Sequence, residues 1–151
     1  MDDWTLLSDD HALLRAQLTR VITMLSLVQS GSYTAQHLHD ETVSQAELWL
    51  SQQREHFAFE ETSVFPQIEK LAPIMAPRLA RLQTEHRRLN HDFAALVAEL
   101  TPPWSESHVS ASLSVARRFE QQFEQHAATE SQLLDEVAVQ VNQKPSPRSD
   151  R

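Results

Sequence analysis

The sequence predicts an all-α protein, an up-down-up-down antiparallel four-helix bundle. Three observations lead there. Only one glycine, Gly31, occurs in 151 residues, far fewer than the tight turns of a β protein would need. Apolar residues recur at helical spacing in four long segments, with Gly or Pro signals between them. Apolar residues make up 40% and charged residues 23%, enough for one domain with a single buried core.

Helix one is expected from about Asp9 to Ser30, with Ser8 as N-cap, two aspartates in the first turn and Gly31 as the C′ stop. Its stripe is Leu7, His11, Leu14, Leu18, Val21, Leu25 and Val28. Helix two is expected from about Ala35 to Phe65, ending at Pro66, with Val43, Ala46, Trp49, Gln53, His56, Glu60 and Val64 inward. Helix three starts near Pro77, a good first-turn residue, and ends before Pro102-Pro103. Its stripe is Leu79, Leu82, His86, Leu89, Phe93, Leu96 and Leu100. Helix four runs from about Ser107 to Val141, with Val109, Ser112, Ala116, Phe119, Phe123, His126, Glu130, Leu133, Val137 and Val141 inward. Residues 1–141 therefore form one domain, and the polar stretch Asn142–Arg151, with two prolines, is expected to be a disordered tail.

The charge balance narrows the function. A net charge of −8 argues against nucleic acid as a partner. The absence of cysteine removes disulfides, thiolate metal sites, iron–sulfur clusters and thiol nucleophiles together. Any metal must be held by nitrogen and oxygen. The N-terminal residues lack the pattern of a signal peptide, and no apolar run approaches a membrane span, so a soluble cytoplasmic protein is expected. Neither a Ser-His-Asp arrangement nor a Gly-rich phosphate loop is visible, and no catalytic residue is assigned.

The chemistry lies in the stripes. Each helix carries a histidine on its apolar face, and in helices two and four a glutamate follows one turn later. Counting from shared helix ends, His11 and His56 each lie roughly 20 residues from the first connection, about 30 Å along the axis. His86 lies about 14 and His126 about 19 residues from the last connection, the same level within the uncertainty of helix ends. A lone histidine on such a face is usually a satisfied core residue, and an H-x-x-x-E pair is often a simple helix contact. Four histidines and two carboxylates at one depth are different, because burying them without a cation would cost several kcal/mol. His11, His56, Glu60, His86, His126 and Glu130 are therefore the candidate metal ligands, divided as His11 with His56 and His86 with His126. Their hardness suits iron, manganese or zinc. Leu14, Leu82, Leu89, Phe123 and Leu133, one turn away, would keep water out.

These residues carry a resemblance. HFAFEETSVFP, from His56 to Pro66, resembles the H-F-x-x-E-E-x-x-L-F-P signature of the hemerythrin-like (HHE cation-binding) family. DDHALL around His11, TEHRRL around His86 and HAATESQLL from His126 match its shorter motifs, and the likeness spans about Asp9 to Val141. It implies a non-haem di-iron centre bridged by Glu60 and Glu130. One position departs from oxygen-carrying relatives, which have a further histidine one turn after the helix-three ligand. Here that residue is Asn90, read either as a weak ligand or, in preference, as a hydrogen-bonder behind the ligands, while His91 points about 140° off the face. Glu61 belongs to the family's Glu-Glu pair but lies off the stripe, which gives it a surface or outer role. His37, His39 and His108 are expected at the surface, and Trp49 in the core.

Several functions follow as expectations. The foremost is a di-iron protein binding dioxygen or nitric oxide as carrier, scavenger or sensor; a sensor would signal through a separate protein. The second is iron storage, delivery to an accepting protein or repair of iron centres, motivated by the open coordination near Asn90. An oxidase or peroxidase is a third, and a metal-free interaction bundle the last.

Overall fold

The computed structural model describes residues 2–143, with side chains from residue 7 onward except that of residue 8. Four long helices account for most of it. Helix α1 spans Asp2–Gln29 and α2 spans Ala35–Phe59. A π-helical turn, Glu60–Val64, joins α2 to the short α3, Phe65–Leu71. After a 3₁₀ turn, Pro73–Met75, α4 spans Ala76–Leu100 and α5 spans Glu106–Asn142. No strand occurs among the described residues. α1 packs on α2 and α5, and α4 packs on the same two, closing a ring of four.

The connections are set by local chemistry. Gly31 adopts φ 77°, a conformation in which a Cβ would be strained. Around it Ser32 N donates to Leu27 O and Gly31 N to Val28 O, so the last carbonyls of α1 are satisfied. Thr34 caps α2, its hydroxyl accepting from His37 N, and Ser105 caps α5 by accepting from His108 N.

Three expectations are corrected. Helix one does not start at Asp9. It begins at Asp2, so Ser8 is no N-cap and Asp9 and Asp10 lie beyond the first turn. Leu7, the first residue of the expected stripe, is buried in one cluster with Val64, Phe65, Leu82 and Leu133, so it lies within the helix and not before it. The second helix does not end at Pro66. The chain widens into the π turn, where Phe65 N donates to Glu60 O, and the helical path continues to Leu71. Pro66 then occupies the first turn of α3, where its missing N–H costs little. On the stripes, Thr42 rather than Val43 is the buried position of α2, its hydroxyl donating to Leu38 O, and Val141 is exposed. The expected tail from Lys144 on lies outside the described residues; Asn142 still belongs to α5.

Two apolar cores fill the ring. One is built around Trp49, Phe93, Phe119 and Phe123, with Leu14, Phe57 and Leu89 at its edge. The other gathers Leu7, Val64, Phe65, Ile68, Leu82 and Leu133. His11, Glu60, His86, His126 and Glu130 fall, in every helix, between a residue of the first core and one of the second. The polar layer is thus walled by apolar side chains above and below.

Candidate metal centre

The six residues come together. His11 stands on α1, His56 on α2, Glu60 at the head of the π turn, His86 on α4, and His126 and Glu130 on α5. None is more than 7% exposed, and Glu60 is fully buried. Donor atoms of Glu60, His86, His126 and Glu130 lie within 4.8 Å of one another, and so do those of His11, His56 and Glu60. Glu60 belongs to both groups. The second carboxylate also faces both, with Glu130 Oε2 3.6 Å from His126 Nε2 and 3.8 Å from His11 Nε2.

The spacing is that of atoms sharing a cation. His56 Nε2 is 2.6 Å from Glu60 Oε1, and His86 Nε2 is 2.9 Å from Glu60 Oε2 and 3.1 Å from His126 Nε2. Neighbouring ligands at bonds of about 2.1 Å and right angles would be about 3.0 Å apart. Yet His11 Nε2, His56 Nε2 and all four oxygens of Glu60 and Glu130 have no hydrogen-bond partner among the described residues. Six buried polar atoms left unpaired in one layer would each cost about 1–3 kcal/mol. A bound cation is the chemistry that satisfies them together.

Three carboxylates outside the layer set the histidines' protons. His56 Nδ1 donates to Asp10 Oδ2 at 3.3 Å, His86 Nδ1 to Glu61 Oε1 at 2.8 Å, and His126 Nδ1 to Glu85 Oε2 at 2.8 Å. A neutral imidazole with its proton on Nδ1 presents a lone pair on Nε2, the form that binds metal. The facing Nε2 atoms of His86 and His126 would then repel across 3.1 Å with nothing between them. Phe57 stacks on His86, with ring centroids 3.9 Å apart and planes 8° from parallel, and so fixes its orientation.

The electrostatics divide the two inner carboxylates. Burial works against ionised Glu60, but His11, His56 and His86 outweigh it and hold the carboxyl well below its usual range. Burial and then the neighbouring Glu60 charge push Glu130 up to about 10. Burial opposes a charged His56, yet the Glu60 and Asp10 carboxylates raise it on balance; for His126 burial prevails and lowers it.

Glu61 has the outer role, holding His86. The sequence pointed less clearly to Asp10, Glu85 and Phe57. Their signal was adjacency, since each directly precedes or follows a stripe histidine, but period alone gives such neighbours no common direction. The π turn had no recognisable signal, although such turns often mark functional sites. Asn90 Oδ1 accepts from Gln53 Nε2 at 2.7 Å, one turn from the layer, while the His91 side chain is 83% exposed and takes no part.

The remaining histidines are not uniformly on the surface. His37 is exposed and stacks on Tyr33. His39 is half-buried, its Nε2 3.1 Å from both Thr101 O and Pro102 O and its ring against Trp104. His108 Nε2 donates to Glu99 O at 2.6 Å. Both pin chain segments that helical period could not place side by side.

Two clefts reach the layer from outside. The larger, of about 350 Å³, lies between α1 and α5 and is lined by His11 and Glu130. The smaller, of about 270 Å³, lies between α1 and α2 and touches His56 beside Asp10. No helix among the described residues is long and apolar enough to cross a membrane.

Comparison with known families agrees with this geometry. The model for the hemerythrin HHE cation binding domain matches residues 2–137, and the chain belongs to that family. No curated protein and no solved structure matches it.

Proposed function

Starting from membership of a cation-binding family, we propose that the chain holds two iron ions between His11, His56, Glu60, His86, His126 and Glu130 and binds dioxygen or nitric oxide there. The observation that carries this reading is the set of six inward donor atoms without hydrogen-bond partners in one buried layer. In it, His11 and His56 would hold one ion, His86 and His126 the other, and Glu60 and Glu130, whose oxygens face both groups, would be shared between them. An iron pair held there would supply the redox chemistry for binding a diatomic ligand. The chain's own residues do the rest: Asp10, Glu61 and Glu85 keep the Nε2 lone pairs inward, and the apolar cores keep bulk water away. Manganese or zinc would satisfy the same donors. The reading also takes the bundle as up-down-up-down, which the short links and the single ligand layer favour.

Metal analysis with spectroscopy tests it. The freshly purified protein should carry two irons per chain and an absorption band that shifts with azide. The reduced form should take up dioxygen or nitric oxide without turnover. A reduced protein inert to both gases would remove the gas-binding reading.

A second reading, iron storage, delivery or repair, is favoured by Asn90, which hydrogen-bonds Gln53 where oxygen-carrying relatives place another histidine. With four histidines for two ions, the pair is held more loosely. Rapid loss of reduced iron to an apo-acceptor protein supports this reading, and tight retention opposes it.

A further inference from the structure

The ligand layer is not equally closed on all sides. His56, His86 and His126 are each held from behind by a carboxylate. His11 is the most exposed of the six, at 7%. It lines the larger cleft together with Glu130, which is 1% exposed and has both oxygens unpartnered. The mouth adds Glu124 and Asp135, so carboxylates lead from the surface to the layer. Arg15, one turn after His11 on α1, reaches across and holds Glu124 of α5 through two parallel N–H···O contacts, one of them 3.0 Å long. Both side chains are nearly half exposed, so the pair can open without breaking the core.

We infer that the cleft between α1 and α5 is the route by which a divalent cation enters and leaves, with the Arg15–Glu124 pair as its gate. Glu124 and Asp135 attract the cation, Arg15 repels it and neutralises Glu124, and Glu130 and His11 are the first inner donors it meets. The smaller cleft is a poorer path. It meets His56 where Asp10 already occupies the outer nitrogen, and it reaches no inner carboxylate. The inference rests on the metal-pair reading; metal content at saturation tests that reading, and exchange rates test the route.

Three single variants decide it, each checked for an unchanged melting profile and helix content. Ferrous iron uptake by the metal-free full chain, and its removal by a chelator, are followed by stopped-flow absorbance. Ala128→Trp fills the larger cleft from an exposed position and should slow both rates by an order of magnitude, with final iron content unchanged. Leu13→Trp fills the smaller cleft from a 52% exposed position and should leave both rates as they are. Arg15→Gln should speed both by roughly threefold, the scale of an exposed ion pair. Slowing by Leu13→Trp alone, or by neither tryptophan, overturns the route, and unchanged rates in Arg15→Gln overturn the gate. Low iron content in every variant and the parent would instead fail the metal-pair reading.

Discussion

The two ends of the bundle treat buried polar groups in opposite ways. At the end that holds the interhelix links after α1 and α4, both partly buried histidines and several buried polar side chains have partners, although the Oε1 atoms of Gln17, Gln52 and Gln53 do not. His39 meets Thr101 O and Pro102 O, His108 meets Glu99 O, Thr42 meets Leu38 O, and Trp49 Nε1 donates to Leu14 O. At the other end, the same residue type faces inward with its lone pair unused, and two carboxylates share the space. A fold that satisfies histidines where they serve packing has no packing reason to leave them unsatisfied elsewhere. The contrast identifies the layer as built for something outside the chain, and the family match says what class of thing that is, a cation.

The strongest way to break the contrast is to remove donors from the layer. His56→Ala or Glu60→Ala should abolish binding of the pair, because Glu60 belongs to both donor groups and His56 is one of two histidines in its group. His37→Ala, which alters only an exposed ring stacked on Tyr33, should keep the full metal content. Equal metal content in all three, by elemental analysis, would refute the ligand assignment.

The next effect appears without metal. Glu130, pushed up to about 10 by burial and by Glu60, stays protonated in the folded metal-free chain at pH 7, whereas the unfolded chain ionises it above about 4.5. A folded value above the unfolded one means the stability conferred by the neutral carboxyl is intact below pH 4.5. It is lost progressively as pH rises towards 10. At pH 7 the cost to the metal-free protein is on the order of a few kcal/mol. Glu130→Gln removes that titration, so the variant should unfold at higher urea than the metal-free parent, and the gap should widen from pH 6 to pH 8. It should also bind metal poorly. A gap that stays constant or narrows would contradict the proposed protonation. A widening gap would make the site a region where stability is given up for binding.

How much of this was readable beforehand follows from what periodicity can carry. Residues that repeat on one face, from Leu7 through His11 to Leu25, or from Phe123 through His126 and Glu130 to Val137, announce both their helix and their depth. The six inner residues were therefore legible together, and Gly31 marked its turn by the one backbone conformation that favours it. What a single-helix pattern omits is the reach of a side chain to another helix. Asp10, Glu61 and Glu85 are off the stripes and meet histidines 46, 25 and 41 positions away. The π turn was hidden for a related reason: Pro66 reads as a stop, and only the buried Val64, Phe65 and Ile68 make the wider turn worth keeping. His39 and His108 looked like surface residues because their acceptors are carbonyls, which no sequence displays.

The outer carboxylates sharpen the comparison further. Glu61→Gln and Glu85→Gln keep the shape and an acceptor oxygen but remove the charge behind His86 and His126. Each should weaken metal affinity by roughly 10–100-fold in a competition titration, while leaving the number of ions at saturation unchanged. The two histidines lie at the same group, so the double variant should fall short of the summed losses. If either single change leaves affinity as it was, the charge behind the ring does not tune the site.

The smallest effect belongs to the satisfied end. His39→Ala deletes two contacts to the link after α4 and the edge contact with Trp104, and should cost about 1 kcal/mol in urea unfolding. Metal content and affinity should not move, because His39 precedes His56 by almost five helical turns on α2 and, among the described residues, shares no contact with the polar layer. The opposite result is informative as well. A histidine whose loss weakened metal binding from that distance would mean that the ends of the bundle are coupled and that the layer depends on how firmly the far links are tied. With an apolar core on either side of the polar layer and Trp49 Nε1 bonded to Leu14 O on the helix stretch between His39 and that layer, the expected outcome is that such changes do not reach it.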